Sequence, residues 1–338
     1  MTDTPPAYLR KDAHIDLARQ SLFQGHTHPM DRIEFPYTAL PECNLSDIRL
    51  DRVWLGRQLS APLMISAMTG GTERADRLNI ALVELAQELK LAIGLGSQRA
   101  NLENKNSQAE LRQLAPSIPL IGNLGAIQIK GDTGLDLAKR AADDIEADAL
   151  AIHLNPLQEA LQPEGETDFR YIADAIARCA DALPCPVIVK EVGAGLSAAV
   201  VRQLAGLGIE IIDIAGRGGT NWAEIEQSRH MTQASWLSPF TQIGIDTPDA
   251  LRDARSVSAQ LNLIASGGIR DGLDAAKAFL LGADMVGCAG IVLRAMEDEN
   301  RQLTPQKAHQ TLTEFTEQLR LACFLAGKTS PIQLKGSI

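Results

Sequence analysis

The sequence predicts an α/β protein, a (β/α)8 TIM barrel with an N-terminal extension, and three observations carry the prediction. From Ala61 onward, short apolar runs rich in Val, Ile, Leu and Ala alternate with segments of helical period, as expected for strands buried on both faces of a parallel sheet. Eight such pairs follow one another at similar length. Glycine and polar residues gather just after the apolar runs, where the loops of a barrel converge on one mouth. A doubly wound open sheet is the competing architecture, but eight consecutive units of similar length favour closure.

Taken in order, residues 1–60 mix polar, proline-containing and aromatic segments without a sustained period, and read as an extension packing over the barrel mouth; the barrel spans 61–338. The first strand reads Pro62–Met68, and the spacing of apolar residues by three and four predicts a helix over Arg74–Leu89. Strands over Leu91–Gly96 and Pro119–Leu124 follow, then a helix over Leu135–Asp144. The fourth and fifth strands, Ala149–Leu154 and Pro186–Glu191, lead to helices over Phe169–Ala182 and Ala198–Leu207. The sixth, seventh and eighth read Ile209–Ala215, Leu261–Ser266 and Met285–Ala289, with a helix over Leu273–Leu281. Thr220–Gly244 is long for a βα connection and carries Trp222, His230, Trp236 and Phe240, so it reads as a lid or an inter-subunit element. Such aromatics, together with the extension, lead us to expect self-association.

Composition narrows the function. With 338 residues, 45% hydrophobic and 22% charged, the chain can bury a sizeable core. A net charge of −10 repels nucleic acid and anionic lipid, so neither is expected as a partner. A phosphorylated small molecule remains open, because a few local cations and helix N-termini bind phosphate inside an acidic protein. The five cysteines, Cys43, Cys179, Cys185, Cys288 and Cys323, are scattered and form no C-x-x-C pair, which suggests neither a disulfide framework nor a zinc site. With no apolar leader-like stretch and no run of eighteen apolar residues, a cytoplasmic protein that does not span a membrane is expected.

The strand ends concentrate the chemistry. Ser266-Gly267-Gly268-Ile269-Arg270 after the seventh strand and Ala289-Gly290 after the eighth place backbone amides where many barrels bind phosphate, although glycines also serve simply to permit tight turns. No G-x-G-x-x-G stands in a Rossmann context, so a tightly built dinucleotide domain is absent, and FMN suits the site better than a bare sugar phosphate because the polar ends of the first, third and fifth strands can line an isoalloxazine edge. Lys190 rises from a strand end, where a cation near the flavin N1/O2 edge stabilises the anionic reduced ring; an ion pair with a neighbouring carboxylate is the plainer reading. The run ADALAIHL delivers His153 and Asn155 to the mouth, with Gln158 and Glu159 following. Grouped with two amides and a histidine, Glu159 is a candidate ligand for Mg²⁺, which takes one or two carboxylates and bridges to substrate phosphates. Arg10, Lys11 and His14 in the extension, with Arg99, supply cations suited to a diphosphate, or else are ordinary solvated charges.

In order and at strand ends, RKDAH, MTGG, GSQR, HLNPLQE, KEVG, GRGGTNW, SGGIR and GCAG together resemble the flavin-dependent type 2 isopentenyl-diphosphate isomerases over essentially the whole chain. The resemblance implies FMN held by Ala67, Met68, Thr69, Ser97, Asn123, Lys190, Thr220, Gly268, Ile269, Arg270, Ala289 and Gly290. It implies substrate contacts from Arg10, Lys11, His14, Ser97, Gln98, Arg99, His153, Asn155 and Gln158, with Mg²⁺ on Glu159 and with Trp222 and Glu224 closing the site. Ala215 departs from those family members that carry a serine near the flavin. The implied reaction shifts the double bond of isopentenyl diphosphate, adding a proton at C4 and removing one from C2, with reduced FMN as acid and base. NADPH is then an activating reductant, and a homotetramer or octamer is the implied assembly. Gln158 is read as orienting or relaying a proton near C2, His153 and Asn155 as holding the diphosphate and its metal, and Glu224 as a candidate proton carrier. The rival is a flavin oxidoreductase of the α-hydroxy-acid oxidase type, but GRGGTNW and Arg229-His230-Met231 stand where a His-Gly-x-Arg stretch is needed.

Overall fold

A computed structural model gives the fold and describes residues 7–20, 28–162, 164–229 and 235–336. Two strands precede the barrel: β1 (Arg52–Trp54) and β2 (Arg57–Leu59) form an antiparallel hairpin turned by Leu55 and Gly56, both at positive φ. The barrel strands are β3 (Leu63–Ile65), β4 (Ala92–Gly94), β5 (Leu120–Gly125), β6 (Ala149–Leu154), β7 (Val187–Glu191), β8 (Ile211–Asp213), β9 (Asn262–Ala265) and β10 (Met285–Cys288). All neighbours pair in parallel, and β10 pairs back onto β3 with Val286 opposite Leu63, so the sheet closes. Several strands are shorter than the apolar runs that predict them. At β3, β4 and β8 the chain leaves the ladder early, and Ser66–Met68, Leu95–Gly96 and Ile214–Ala215 pass into the mouth loops.

Two apolar layers explain the closure. Met64, Ile121, Ala151, Ile188, Ile211, Ile264 and Met285 fill the barrel interior, and Trp54 and Leu59 of the hairpin join that same cluster. Residues of opposite orientation, such as Leu63, Ile65, Leu120, Ile152, Val189, Ile212 and Leu263, pack outward against the helices around Val83, Phe279 and Phe315. Full burial contributes about 1.5–3 kcal/mol per large apolar side chain, so both layers favour closure. Around the N-terminal ends of the strands, Arg57 Nε and Arg112 Nη2 each lie 2.6 Å from Asp148, and Arg255 Nη2 lies 2.6 Å from Asp284. Arg52 donates to the Asp284 carbonyl and Lys335 to its carboxylate. The hairpin therefore plugs the end of the barrel opposite the mouth.

The helices differ from the sequence reading where glycine or backbone conformation intervenes. The helix expected from Leu135 begins at Gly131, and Gly134 is required because a Cβ there would lie 2.1 Å from the Ile129 carbonyl carbon. The helix expected from Phe169 begins at Ile172, after Tyr171 at φ 65°. The long segment Thr220–Gly244 is partly helical, with an α-helix over Trp222–Arg229 and a 3-10 helix over Ser235–Phe240; His230 lies outside the described residues. A helix over Ala7–Arg19 reaches the mouth. Among the described residues, no helix is long and apolar enough to cross a membrane.

Candidate active site

The loops at the C-terminal ends of the strands enclose a cavity of about 680 Å³. One side is a cup of glycine backbone. Gly267 and Gly268 adopt φ 91° and 80°; a Cβ on the first would lie 2.0 Å from the Gly216 carbonyl oxygen, and one on the second 2.5 Å from the Gly218 carbonyl carbon. Only glycine lets these two loops meet backbone to backbone. Ile269, Ala289 and Gly290 continue the cup, and Gly290 opens the helix Gly290–Met296, whose first amides suit an anion. Arg270 lines the cup, but its guanidinium folds back onto Asp274 at 2.7 Å and onto Asp31. That places its backbone, rather than its charge, beside a phosphate.

Ala67, Met68 and Thr69 follow β3 into the cavity and are joined there by Ser97, Asn123, Lys190, Thr220 and Ala215. Lys190 is buried and donates to the Glu191 carbonyl at 2.6 Å, opposite Asp213 in the β7–β8 register. Asp213 is fully buried and accepts from Ser266 Oγ at 2.6 Å; burial pushes its carboxyl upward, against the opposing pull of the Lys190 charge. Ser66 Oγ is buried without a partner on the same cavity wall. A cation, an orphaned hydroxyl and a glycine cup in one cavity match the polar ring edge and phosphate of FMN, and the volume admits it.

The opposite side gathers titratable groups. Asn123 Nδ2 donates to the Leu95 carbonyl at 2.9 Å, which turns Asn123 Oδ1 toward His153 Nδ1 at 2.8 Å. This amide orientation assigns the imidazole proton to Nδ1 and leaves Nε2 as an acceptor. Burial, reinforced by the Lys190 charge, lowers the His153 pKa to about 3, so the ring is neutral near pH 7. Gln158 Nε2 and His14 Nε2 both lie 3.0 Å from Glu226 Oε1, while Arg229 Nη1 reaches Glu226 Oε2 at 2.5 Å. Burial alone would raise the Glu226 pKa, but the bonds and charges of His14, Gln158 and Arg229 outweigh it and bring the value to about 2. The buried group is therefore an anion. Trp222 packs edge-on to His14, with ring centroids 5.5 Å apart.

Of the residues singled out from sequence, Lys11, His14, Ser97, His153, Gln158 and Trp222 line the cavity together with the cofactor group. Arg10 belongs to the helix Ala7–Arg19, but its side chain lies outside the described residues. Gln98, Arg99, Asn155, Glu159 and Glu224 stand outside the lining. Gln98 is a buttress: it accepts from the Asn123 amide at 3.0 Å and donates to the Ala141 carbonyl at 3.1 Å. Arg99 grips Glu166 with both terminal nitrogens, at 3.0 and 3.3 Å, and Glu103 through Nε. Asn155 Nδ2 donates to Glu159 Oε1 at 2.9 Å, and Glu159 Oε2 accepts from Gln162 and from the Glu166 amide. Glu224 accepts from Gln242 at 2.7 Å. The carboxylate that reaches Gln158 is Glu226, two residues further on. Its sequence signal is its four-residue spacing from Trp222 on a helix, which puts both on one face.

Among the described residues, no cluster of three or more His, Cys, Asp and Glu side chains could hold a metal. Glu159, a lone carboxylate with the Asn155 and Gln158 amides beside it, fits only a cation that takes most of its ligands from water and phosphate, as Mg²⁺ does.

A family model for FMN-dependent dehydrogenases matches residues 139–338. An isopentenyl-diphosphate delta-isomerase of Pseudescherichia vulneris is 47% identical over 334 residues, covering 96% of this chain and 94% of that protein. One from Deinococcus radiodurans is 44% identical over 336 residues, covering 98% and 97%. Among solved structures, a mandelate oxidase with an FMN adduct superposes with TM-score 0.63 over 96% of this chain and 90% of that one, at 16% identity, a likeness of fold alone.

Proposed function

We propose, from the premise that this chain belongs to the isopentenyl-diphosphate delta-isomerase family, that it converts isopentenyl diphosphate to dimethylallyl diphosphate. The observation that best supports this reading is the pairing, in one cavity, of a glycine phosphate cup with Gln158, His14 and neutral His153, the first two held from behind by the buried Glu226. A double-bond shift needs proton delivery and removal on an apolar substrate, with no net electron transfer. When bound, reduced FMN supplies acid and base at the edge of its ring.

The chain's own residues bind, orient and shield. Gly268, Ile269, Ala289 and Gly290 hold the flavin phosphate, and the Lys190 charge favours an anionic ring. Ala67, Met68, Thr69, Ser97, Asn123 and Thr220 seat the remainder of the cofactor. Gln158, oriented through its Nε2 by Glu226, handles the proton near C2. His14 and Trp222 close over the hydrocarbon and exclude water. Arg10 and Lys11 meet the diphosphate, and Arg99 joins them once it leaves Glu166. The unprotonated Nε2 of His153 accepts from a phosphate hydroxyl of the diphosphate, and Asn155 and Glu159 would hold Mg²⁺, which would offset the diphosphate charge. NADPH would serve as an activating reductant. The exposed Trp236 and Phe240 suit a homotetramer or octamer, and the scattered free thiols suit a reducing cytoplasm.

The test is anaerobic. Enzyme reduced once with NADPH or dithionite should turn over many equivalents of isopentenyl diphosphate while the flavin stays reduced, and in D₂O the product should carry deuterium in its new methyl group. Flavin that reoxidises in step with product would point instead to an oxidoreductase.

A further inference from the structure

The helix Ala7–Arg19 divides its side chains between two tasks. Lys11, His14, Ile15 and Ala18, spaced by three, one and three, face the cavity. Asp12, Asp16 and Arg19, spaced by four and three, form a second edge that points at the barrel wall. Among the described side chains of this helix, Ile15 and Ala18 are buried in the apolar core and Leu17 packs against it, and the charged edge adds directional bonds to that apolar contact.

That charged edge meets one buried pair. Glu297 is 1% exposed, and Arg74 grips it in a fork, Nε to Oε1 at 2.9 Å and Nη2 to Oε2 at 2.6 Å. Arg19 then donates to the Glu297 carbonyl at 2.8 Å, with its other nitrogen 3.4 Å from the carboxylate. Asp16 takes Arg74 Nη2 at 2.9 Å and Arg301 at 2.7 Å, and Thr72 Oγ1 donates to Asp12 at 2.9 Å. Thr72 also caps the helix Glu73–Leu89, from which Arg74 springs, so the anchor is fixed to the barrel through contacts of its own. A buried carboxylate with a forked arginine loses much if one partner is removed, because the other charge is left unpaired.

We infer that Glu297, with Arg74, is a positioning residue for substrate: it anchors the outer edge of the helix Ala7–Arg19 and so holds Lys11 and His14 at the mouth. The inference rests on the reading of Lys11 as a diphosphate ligand. Neither Glu297 nor Arg74 lines the cavity, so their effect on substrate must pass through the helix.

The test uses FMN-loaded enzyme with three variants. Glu297→Gln keeps the shape and removes the charge; Arg19→Gln cuts the clasp on the helix side while sparing the Arg74–Glu297 pair; Lys11→Ala tests the diphosphate reading itself. Hydrogen exchange at amides 7–19 should quicken about tenfold or more in both clasp variants. KM for isopentenyl diphosphate should rise by a similar factor, with kcat at saturation and FMN affinity within about twofold of the parent. Unchanged exchange in the helix would overturn the anchor whatever the kinetics. Faster exchange with an unchanged KM, where Lys11→Ala does raise KM, would overturn the positioning role. A Lys11→Ala variant with unchanged KM would sink the diphosphate reading separately. If Glu297→Gln lowers kcat and FMN affinity while it raises KM, its role is general stability and the inference falls.

Discussion

Replacing Gly268 by alanine tests the glycine cup at its tightest point. The residue sits at φ 80°, where a side chain costs roughly 1–2 kcal/mol. The added Cβ would also stand 2.5 Å from the carbonyl carbon and oxygen of Gly218, backbone atoms that cannot swing aside, and such overpacking costs typically about 1–3 kcal/mol. Together the terms give about 2–5 kcal/mol. If the loops part to relieve the strain, the cup opens and the FMN dissociation constant rises between about thirtyfold and a few thousandfold. If they do not, the strain lowers the stability of the apoprotein. Flavin fluorescence titration and thermal melting of the apoprotein, run side by side, read both outcomes. Gly206→Ala is the control: it lies at the end of the helix Ala198–Gly206, and a Cβ there would meet nothing within 4 Å, so alanine should stabilise by about 0.5–1 kcal/mol. A Gly268→Ala protein with wild-type flavin affinity and wild-type melting would refute the close-approach argument.

The charged groups around the site yield further expected outcomes. Glu226→Gln should lower kcat at least about tenfold with FMN affinity unchanged, because it removes the anion that orients Gln158. The same variant bears on acid stability: the Glu226 pKa falls from 4.5 to about 2 in the folded chain, a difference on the order of 3 kcal/mol. That stability is present above about pH 4.5 and is lost as pH falls toward 2, so the acid limb of a denaturation profile should flatten in the variant. Glu166→Gln should lower KM by about two- to fivefold, since an exposed carboxylate that occupies the Arg99 fork competes weakly with a diphosphate; Arg99→Ala should raise KM, and an unchanged KM in both returns the pair to the surface. Glu159→Gln should raise the Mg²⁺ concentration needed for half activity without changing FMN affinity, which a metal titration would show.

The barrel was legible in the sequence because its strands are buried on both faces and so read as continuous apolar runs, and the phosphate cup because SGGIR and CAG sit at strand ends. What stayed hidden had no period to betray it. The hairpin strands are three residues each, too short for alternation to register. The helix Trp222–Arg229 has no apolar stripe, so its phase was open, and Glu224 rather than Glu226 was singled out. Gly131 and Gly134 fall outside the helix expected over Leu135–Asp144, although the second is an accommodation to a backbone contact that only the folded chain reveals. Arg99 was legible as a cation, but its engagement by Glu166, 67 residues away, was not.

The plug at the far end of the barrel joins the chain's beginning to its end. Trp54 and Leu59 pack in one cluster with Met285, and Arg52 bonds to Asp284, 232 residues further along. On a ribosome the hairpin emerges early, while part of its seat is among the later parts to be made. Through most of translation an indole and a leucine built for a dry interior therefore wait without their full partners, and the ring of strands cannot shut until the last of them, β10, has cleared the exit tunnel. A stall before residue 285 leaves the ring open at the seam between β9 and β3.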